Sequence, residues 1–227
     1  MSNKNREAYK IFPSLKLLLK EFRTIREFIG FLRARRSLPD IDHGYPVMVL
    51  PGILHGDGYT APIRKLLNEK GVSCYGWRQG INKGYFQRIE NNLMELIEEI
   101  LQETNSSKIT LIGWSLGGVY ARELAWKMPD KIFKVITLAS PYRLDSSPVP
   151  ELIYRCLAKR KIVELNSISS SHTDIPVPVI QIYSSMDGIL FWKSCLGNGN
   201  NREVQGSHLG MPHNPEVIEE IFQILNS

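Results

Sequence analysis

The pentapeptide Gly-Trp-Ser-Leu-Gly at 113–117 has the spacing G-x-S-x-G, which in the right context presents a nucleophilic serine. A β-branched apolar stretch at 108–112 precedes it, and apolar residues at helical spacing follow at 117–128. A strand, a tight turn and a helix in this order would push Ser115 out at the carboxyl end of the strand. We therefore predict that Ser115 is a catalytic nucleophile. A glycine-rich turn before a buried helix is the alternative interpretation.

A serine hydroxyl needs a general base within hydrogen-bond reach, and that base needs a carboxylate to orient it. His208 lies in a glycine-flanked loop between a short predicted strand and the last predicted helix, where such a base is expected. His213 is the alternative base, but its Pro-His-Asn-Pro context is more typical of a turn or a helix start. The sequence therefore favours His208 as the general base.

The orienting acid should follow a strand that lies between the serine and the histidine in the chain. Asp187 comes directly before a glycine in the loop after a predicted strand, although an Asp-Gly turn would also use an aspartate there. Asp145 and Asp174 are the competing acids. With Asp187 the chain order is Ser115, Asp187, His208. This is the order expected when the nucleophile lies on a turn between a strand and a helix of a parallel sheet.

The developing oxyanion of an acyl-transfer reaction needs two N–H donors. Leu116 follows the nucleophile at a predicted helix N-terminus, where the helix dipole also favours negative charge. The second donor is expected in the loop at 51–58, which follows the first predicted strand. Ile53 is the predicted donor and Leu54 the alternative, whereas His55 in the same loop is interpreted as a wall of the site.

Four apolar residues close to these positions predict a hydrophobic acyl pocket, although each of them would also fit the core. They are Leu54, Trp114, Met186 and Trp192.

Strands and helices that could position these residues alternate along the chain. Predicted strands lie at 46–50, 72–77, 108–112, 133–138, 178–183 and 202–205, and predicted helices at 60–70, 86–104, 117–128 and 215–225. This alternation predicts an α/β fold with a mostly parallel central sheet and helices on both faces. Residues 142–177, rich in Ser and Pro, interrupt the alternation. They are interpreted as a lid-like insertion over the active-site end or as a structural connector.

An N-terminal segment, residues 1–40, is predicted to precede a domain that spans 41–227. Within it, residues 13–36 have the pattern of a basic amphipathic helix. Its apolar stripe consists of Leu15, Leu18, Leu19, Phe22, Ile25, Ile29 and Leu32. Either the helix packs on the domain with its charges in solvent, or it makes a peripheral contact with an anionic membrane surface.

Composition excludes several classes of protein. Of the 227 residues, 43% are hydrophobic and 22% charged, as in a soluble globular protein. Residues 1–40 hold ten Lys/Arg and four Asp/Glu, whereas residues 41–227 hold 18 Lys/Arg and 19 Asp/Glu. No basic surface for nucleic acid is therefore expected on the domain at 41–227. Three cysteines without a C-x-x-C pair predict neither a disulfide framework nor a metal site, while a single Cys–Cys bridge stays an open alternative. Neither a secretory signal nor a membrane-spanning run is present, so a cytoplasmic location is expected.

Taken in chain order, the strand ending at Pro51-Gly52, the pentapeptide, the Met186–Gly188 loop and the Gly206–His208 loop resemble the α/β-hydrolase superfamily, in its serine esterase/lipase branch. The resemblance runs from about residue 44 to the end. Residues 75–82 and 206–215 are also similar to a group of uncharacterised bacterial α/β hydrolases, which implies no substrate. The chain departs from the superfamily at its start, where a basic helical segment stands in place of the first strands.

The resemblance implies hydrolysis of carboxylic esters, small or lipid, through a Ser-His-Asp triad and an acyl-enzyme, without metal or organic cofactor. An acyltransferase or a thioesterase would use the same residues, and a non-catalytic binding protein would use the same fold. A serine nucleophile argues against dehalogenase and epoxide hydrolase chemistry, which depends on an aspartate in this fold.

Overall fold

A computed structural model of the protein describes residues 19–84, 86–142 and 174–227. Six strands form one sheet in the order β2-β1-β3-β4-β5-β6, and every neighbouring pair is parallel. They are β1 Val47–Leu50, β2 Cys74–Gly76, β3 Ile109–Trp114, β4 Ile132–Leu138, β5 Val179–Tyr183 and β6 Asn200–Glu203. The predicted parallel α/β sheet is confirmed.

Helices cover both faces of the sheet. They are α1 Thr24–Ala34, α2 Asp57–Glu69, α3 Phe86–Glu103, α4 Leu116–Lys127 and α5 Pro215–Leu225, with short 3-10 helices at Glu21–Arg23, Trp192–Cys195 and Met211–His213. One core cluster joins apolar residues of α2 and α5 to the sheet, and a second joins α3 and α4 to it. Because both faces are covered, β1 and β3 are buried along their whole length.

Most element boundaries lie within two residues of the predicted ones, and two elements begin at positions that differ by two or three residues in a way that the contacts make clear. Helix α2 begins three residues earlier than predicted, at Asp57, whose carboxylate accepts hydrogen bonds from the N–H groups of Trp77 and Arg78 beyond β2, at 3.0 Å each. Strand β6 occupies Asn200–Glu203, where it pairs with β5. The predicted strand at 202–205 lies two residues further along the chain, and the apolar Val204 is buried just after the observed strand.

The lid-like insertion predicted at 142–177 lies outside the described residues, apart from Tyr142 and 174–177. Its role as a lid, and the division of the chain at residue 40, stay predictions. Within the described ranges, no helix is both long and apolar enough to cross a membrane.

Helix α1 packs on the domain, but not through the face that its apolar stripe predicts. Its buried side chains are Glu27 and Phe31, and Glu21 is buried in the 3-10 helix directly before it. The described stripe residues face solvent instead: Leu19, Phe22, Ile25, Ile29 and Leu32 are 41–74% exposed. The helix therefore packs on the domain, as one of the two interpretations predicts, but the carboxylates of Glu21 and Glu27 are buried rather than in solvent. Leu15 and Leu18 of the stripe lie outside the described residues.

Candidate active site

Ser115 lies in a sharp turn between β3 and α4. Its backbone has φ 53° and ψ −122°, a conformation that costs a non-glycine residue about 1–3 kcal/mol and that clusters at functional sites. The N–H of Ser115 donates to the carbonyl oxygen of Leu138 at 2.8 Å, which ties the turn to the end of β4. A Cβ on Gly117 would lie 2.3 Å from the carbonyl oxygen of Leu50, so only glycine allows α4 to start this close to β1.

The structure brings the predicted nucleophile, base and acid together. His208 Nε2 lies 3.1 Å from Ser115 Oγ, and His208 Nδ1 lies 2.6 Å from Asp187 Oδ2. His208 and Asp187 are only 2% and 3% exposed, while Ser115 is half-buried. The other oxygen of Asp187 accepts the N–H groups of Ile189 and Leu190 at 2.8 and 2.7 Å, which fixes the carboxylate in its own loop. An ionised Asp187 holds the proton of the neutral imidazole on Nδ1 and leaves Nε2 free to accept one.

The charges around His208 favour its cation. Burial alone would lower the pKa of His208, but the charge and hydrogen bond of Asp187, together with the charge of Glu21, outweigh burial and raise the pKa above its usual value of 6.5. A base with a raised pKa is a stronger proton acceptor, because its protonated form is stabilised where it forms.

The competing residues lie elsewhere. His213 Nε2 faces Thr24 Oγ1 at 3.5 Å, and its ring packs against Phe28 and Tyr59. Burial, and then the charge of His55, lower the pKa of His213 to about 4. The competing acid Asp174 is exposed, and Asp145 lies outside the described residues.

The loop after β1 contacts the turn that carries Ser115. A Cβ on Gly52 would lie 3.2 Å from the Cβ of Ser115. The N–H of Leu54 donates to the carbonyl oxygen of Asn82 at 2.8 Å, which leaves Ile53 as the donor candidate in this loop. Leu116 is the first residue of α4, and the N–H groups of a first helical turn have no acceptor inside the helix.

Asn82 holds this loop in shape, a role that the sequence did not reveal. Asn82 is fully buried, its side-chain amide donates to the carbonyl oxygen of Pro51 at 2.9 Å, and its N–H donates to that of His55 at 2.8 Å. These contacts hold Leu54 at φ 64°, a conformation that a leucine rarely adopts. A buried asparagine distant in the sequence therefore fixes the loop of the candidate oxyanion donor.

Glu21 is a second residue that sequence reasoning missed. Its Oε1 accepts the N–H groups of Gly188 at 2.8 Å and His208 at 2.9 Å, and its Oε2 accepts the N–H of Leu209 at 2.9 Å. One buried carboxylate thus joins the loop of the acid to the loop of the base. An acidic residue among arginines is expected in solvent, so no sequence signal marked this position.

Glu27, in the first turn of α1, binds the same loop of the base. Its Oε1 accepts the N–H of Ser207 at 2.8 Å, and its Oε2 accepts the Ser207 hydroxyl. A Cβ on Gly210 would overlap Glu27 Oε2, so a glycine is required where the carboxylate enters the loop. The residues on both sides of His208 are therefore held from the N-terminal segment.

The predicted pocket residues have different surroundings. Leu54 is 50% exposed, whereas Trp114 is only 1% exposed and its indole N–H donates to the carbonyl oxygen of His208 at 3.1 Å. Trp114 therefore packs beneath the histidine loop and offers little surface to an acyl chain. Met186 Sδ accepts a hydrogen bond from the Arg23 guanidinium, and the Trp192 ring stacks on the ring of Tyr183 at the end of β5.

His55 stands beside these residues as a packed ring. Its Nδ1 lies 2.8 Å from the carbonyl oxygen of Ile53, and its ring contacts Tyr59 and Trp114 with centroids 4.3 and 4.8 Å away. This position agrees with the interpretation of His55 as a wall of the site.

A protein-family model described as the alpha/beta hydrolase fold matches residues 45–159 of the 227. Three similar solved structures illustrate the likeness. One comes from work on two metagenome-derived lipolytic enzymes, LipS and LipT (TM-score 0.61, 10% identity, covering 83% of this chain and 96% of the other). Another is naproxen esterase from Bacillus subtilis (TM-score 0.53, 12% identity, covering 88% of this chain and 97% of the other). The third is monoacylglycerol lipase from Paleococcus ferrophilus (TM-score 0.55, 18% identity, covering 81% of this chain and 96% of the other). At these identities the likenesses show the fold, and together with the family match they place this chain in the α/β-hydrolase family.

Proposed function

We propose that this protein is a serine hydrolase of carboxylic esters, of the esterase or lipase type. The observation that carries the proposal is the hydrogen-bonded chain from Ser115 Oγ through His208 to Asp187, at 3.1 and 2.6 Å. A serine with a histidine base and an orienting carboxylate is an activated nucleophile for acyl transfer. The backbone strain at Ser115 supports the same role, because such strain persists where the surrounding structure enforces it.

The first half of the reaction transfers the acyl group to the protein. Ser115 Oγ attacks the ester carbonyl while His208 Nε2 takes the hydroxyl proton, and a tetrahedral oxyanion forms. The N–H groups of Ile53 and Leu116 stabilise that oxyanion, and Asp187 stabilises the imidazolium. When the intermediate collapses, the C–O bond to the alcohol breaks and His208 returns the proton to the leaving alkoxide. The acyl group is then esterified to Ser115.

The second half releases the acid. His208 removes a proton from a water molecule, whose oxygen attacks the acyl carbonyl, and the same two N–H groups hold the second oxyanion. Collapse of this intermediate breaks the bond to Ser115 Oγ, which recovers its proton from His208. An alcohol or a thiol in place of water gives acyl transfer with the same residues, and a thioester in place of the ester gives thioester hydrolysis.

Two further observations favour ester substrates with an apolar acyl group. The similar solved structures include proteins named as lipolytic enzymes, an esterase and a monoacylglycerol lipase. Leu54 is half-exposed in the loop that contacts the Ser115 turn, where it offers apolar surface to a substrate. The proposed substrate is therefore a small-molecule or lipid ester.

A series of p-nitrophenyl esters with acyl chains of increasing length tests the proposal. We expect turnover that depends on Ser115 and an optimum at one range of chain length. A folded protein that hydrolyses no member of the series, and no corresponding thioester, would instead favour a binding protein with this fold.

The pH dependence of ester hydrolysis follows from His208. Protonated His208 cannot accept the proton of Ser115, so activity requires the neutral imidazole. Because Asp187 and Glu21 raise the pKa of His208 above 6.5, kcat/KM should rise with pH through an apparent pKa above 6.5 and then level off. The measurement is kcat/KM for a soluble ester at pH 5 to 9 and constant ionic strength. An apparent pKa below 6.5 would contradict this assignment.

A further inference from the structure

The carboxylate of Glu21 lies between the two loops that carry the candidate acid and base. Its three partners are backbone N–H groups, and they belong to His208 itself, to Leu209 and to Gly188, which directly follows Asp187. Bonds from N–H groups to an ionised carboxylate are stronger than neutral ones. Since the side chain is 7% exposed, water offers little replacement for them.

We propose that Glu21 is a positioning residue that sets the separation and orientation of His208 and Asp187. This proposal rests on the hydrolase function proposed above. Asp187 orients the imidazole through its side chain, whereas Glu21 holds the backbone of both loops and does not touch the reacting atoms. Glu21 is thereby a side chain of the N-terminal segment that supports the site from behind the two loops.

Two variants test this role on a protein whose wild type hydrolyses an ester. Glu21→Gln removes the charge and sets an amide N–H₂ against backbone donors, so kcat should fall by about tenfold to a hundredfold, as small displacements of catalytic groups do, with KM little changed. The acid limb of kcat/KM should also move to lower pH, because the charge of Glu21 contributes to the raised pKa of His208. Among the described residues, the other charged and titratable groups that face His208 or its loop are Asp187, His55, Glu27 and Tyr59, and all four remain in this variant.

Glu27→Gln is the matched control, because Glu27 binds Ser207 but not the N–H of His208 or the loop of Asp187. In the Glu27→Gln variant, kcat/KM should rise with pH through the same apparent pKa as in the wild type. Glu21→Asp, which keeps the charge but shortens the reach, should lose kcat while it retains the acid limb. If Glu21→Gln and Glu21→Asp change only the melting temperature, the positioning role is overturned. If the wild type itself has no activity, the hydrolase proposal fails first.

A different observation concerns the outer face of the same segment. Six of its apolar side chains are exposed to solvent within the described part of the chain: Leu19 61%, Phe22 74%, Ile25 64%, Phe28 36%, Ile29 45% and Leu32 41%. Their spacing of three and four residues places most of them along one side of a helical segment, and exposed apolar side chains grouped in this way mark an interaction site.

The charges on this outer face have one sign. Both acidic residues between 19 and 36, Glu21 and Glu27, point inward and bind the histidine loop. The exposed charged side chains are all basic: Lys20, Arg26, Arg33 and Arg36. Within residues 19–36, the exposed apolar side chains thus have exposed basic neighbours and no exposed acidic ones, which makes this face complementary to an anionic surface with an apolar interior.

We infer that the outer face of the 19–36 segment binds an anionic lipid surface. Its apolar side chains would enter the acyl boundary while the lysine and arginines meet lipid phosphates, as in interfacial amphipathic helices. Because the inner face of the same segment binds the loop of His208, the candidate site would be held at that surface.

Sedimentation with vesicles tests this inference on the full chain. The wild type should bind vesicles of phosphatidylcholine with 30% phosphatidylglycerol, and bind weakly to phosphatidylcholine alone or in high salt. The double variant Phe22→Ser/Ile25→Ser should lose binding by on the order of tenfold or more, because each lost apolar side chain weakens partition. Hydrolysis of a soluble short-chain ester should be unchanged.

Trp126→Ser, which changes a 43% exposed residue on α4, is the control and should bind as the wild type does. Equal binding by the double variant would overturn the inference. A wild-type protein that does not bind anionic vesicles would also overturn it. The same holds if the wild type is a dimer in solution and the double variant is a monomer, because the face would then bind a second copy of the chain.

Discussion

Replacement of Ser115 by alanine is expected to lower kcat for ester hydrolysis by about 10⁴- to 10⁶-fold, the size of loss seen when a serine nucleophile of a triad is removed. The variant keeps the turn, because the strain at Ser115 is in the backbone and the bond from its N–H to Leu138 remains. It loses the only atom that forms the proposed acyl-enzyme bond. The measurement is kcat and KM for the best p-nitrophenyl ester, with circular dichroism to verify the fold.

Ser185→Ala is the matched control, because Ser185 is an exposed serine in the same loop as the candidate acid. It should hydrolyse the ester at the wild-type rate. A Ser115→Ala protein that retains even a tenth of the wild-type kcat would rule out the assigned nucleophile.

The Asp187→Asn variant is expected to lose about 10⁴-fold in kcat, as the equivalent change does in serine proteases, because the imidazole is left in the wrong tautomer. An asparagine oxygen can still accept the N–H groups of Ile189 and Leu190, so the loop should keep its shape. The neutral asparagine side chain cannot stabilise the positive charge that forms on His208. The loss should therefore appear in kcat with a folded protein and a nearly unchanged KM.

The other candidate acids provide the comparison for this variant. Asp174→Asn, at an exposed position, should be as active as the wild type. Should Asp174→Asn or Asp145→Asn abolish hydrolysis while Asp187→Asn remains active, the acid has been assigned wrongly.

The central sheet and the order of the site residues are predictable from the sequence because they depend on local signals. Apolar runs bounded by glycine and proline mark the buried parallel strands, and α5 lies where its pattern places it, at Pro215–Leu225. Positions that directly follow such strands converge at one edge of a parallel sheet. Together with the G-x-S-x-G motif and the expected chain order, that rule predicts Ser115, Asp187 and His208 as neighbours.

The contribution of the N-terminal segment is not predictable in the same way. Periodicity reveals that a helix has an apolar face, but it cannot tell whether that face is buried. In this protein specific hydrogen bonds to Glu21 and Glu27 outweigh the apolar stripe, and they form only because the loop of His208 presents unpaired N–H groups in three dimensions. Asn82 and Trp114 are similar cases, since both act through contacts with residues distant in the sequence.

Labelling with a fluorophosphonate probe followed by peptide mass spectrometry tests the central claim most directly, because the probe reacts with activated serines and needs no knowledge of the substrate. The hydrolase proposal predicts one adduct, on Ser115, in the wild-type protein and none in Ser115→Ala. The adduct should form much more slowly in Asp187→Asn. A folded wild-type protein that stays unlabelled, or one labelled at another residue, would contradict it.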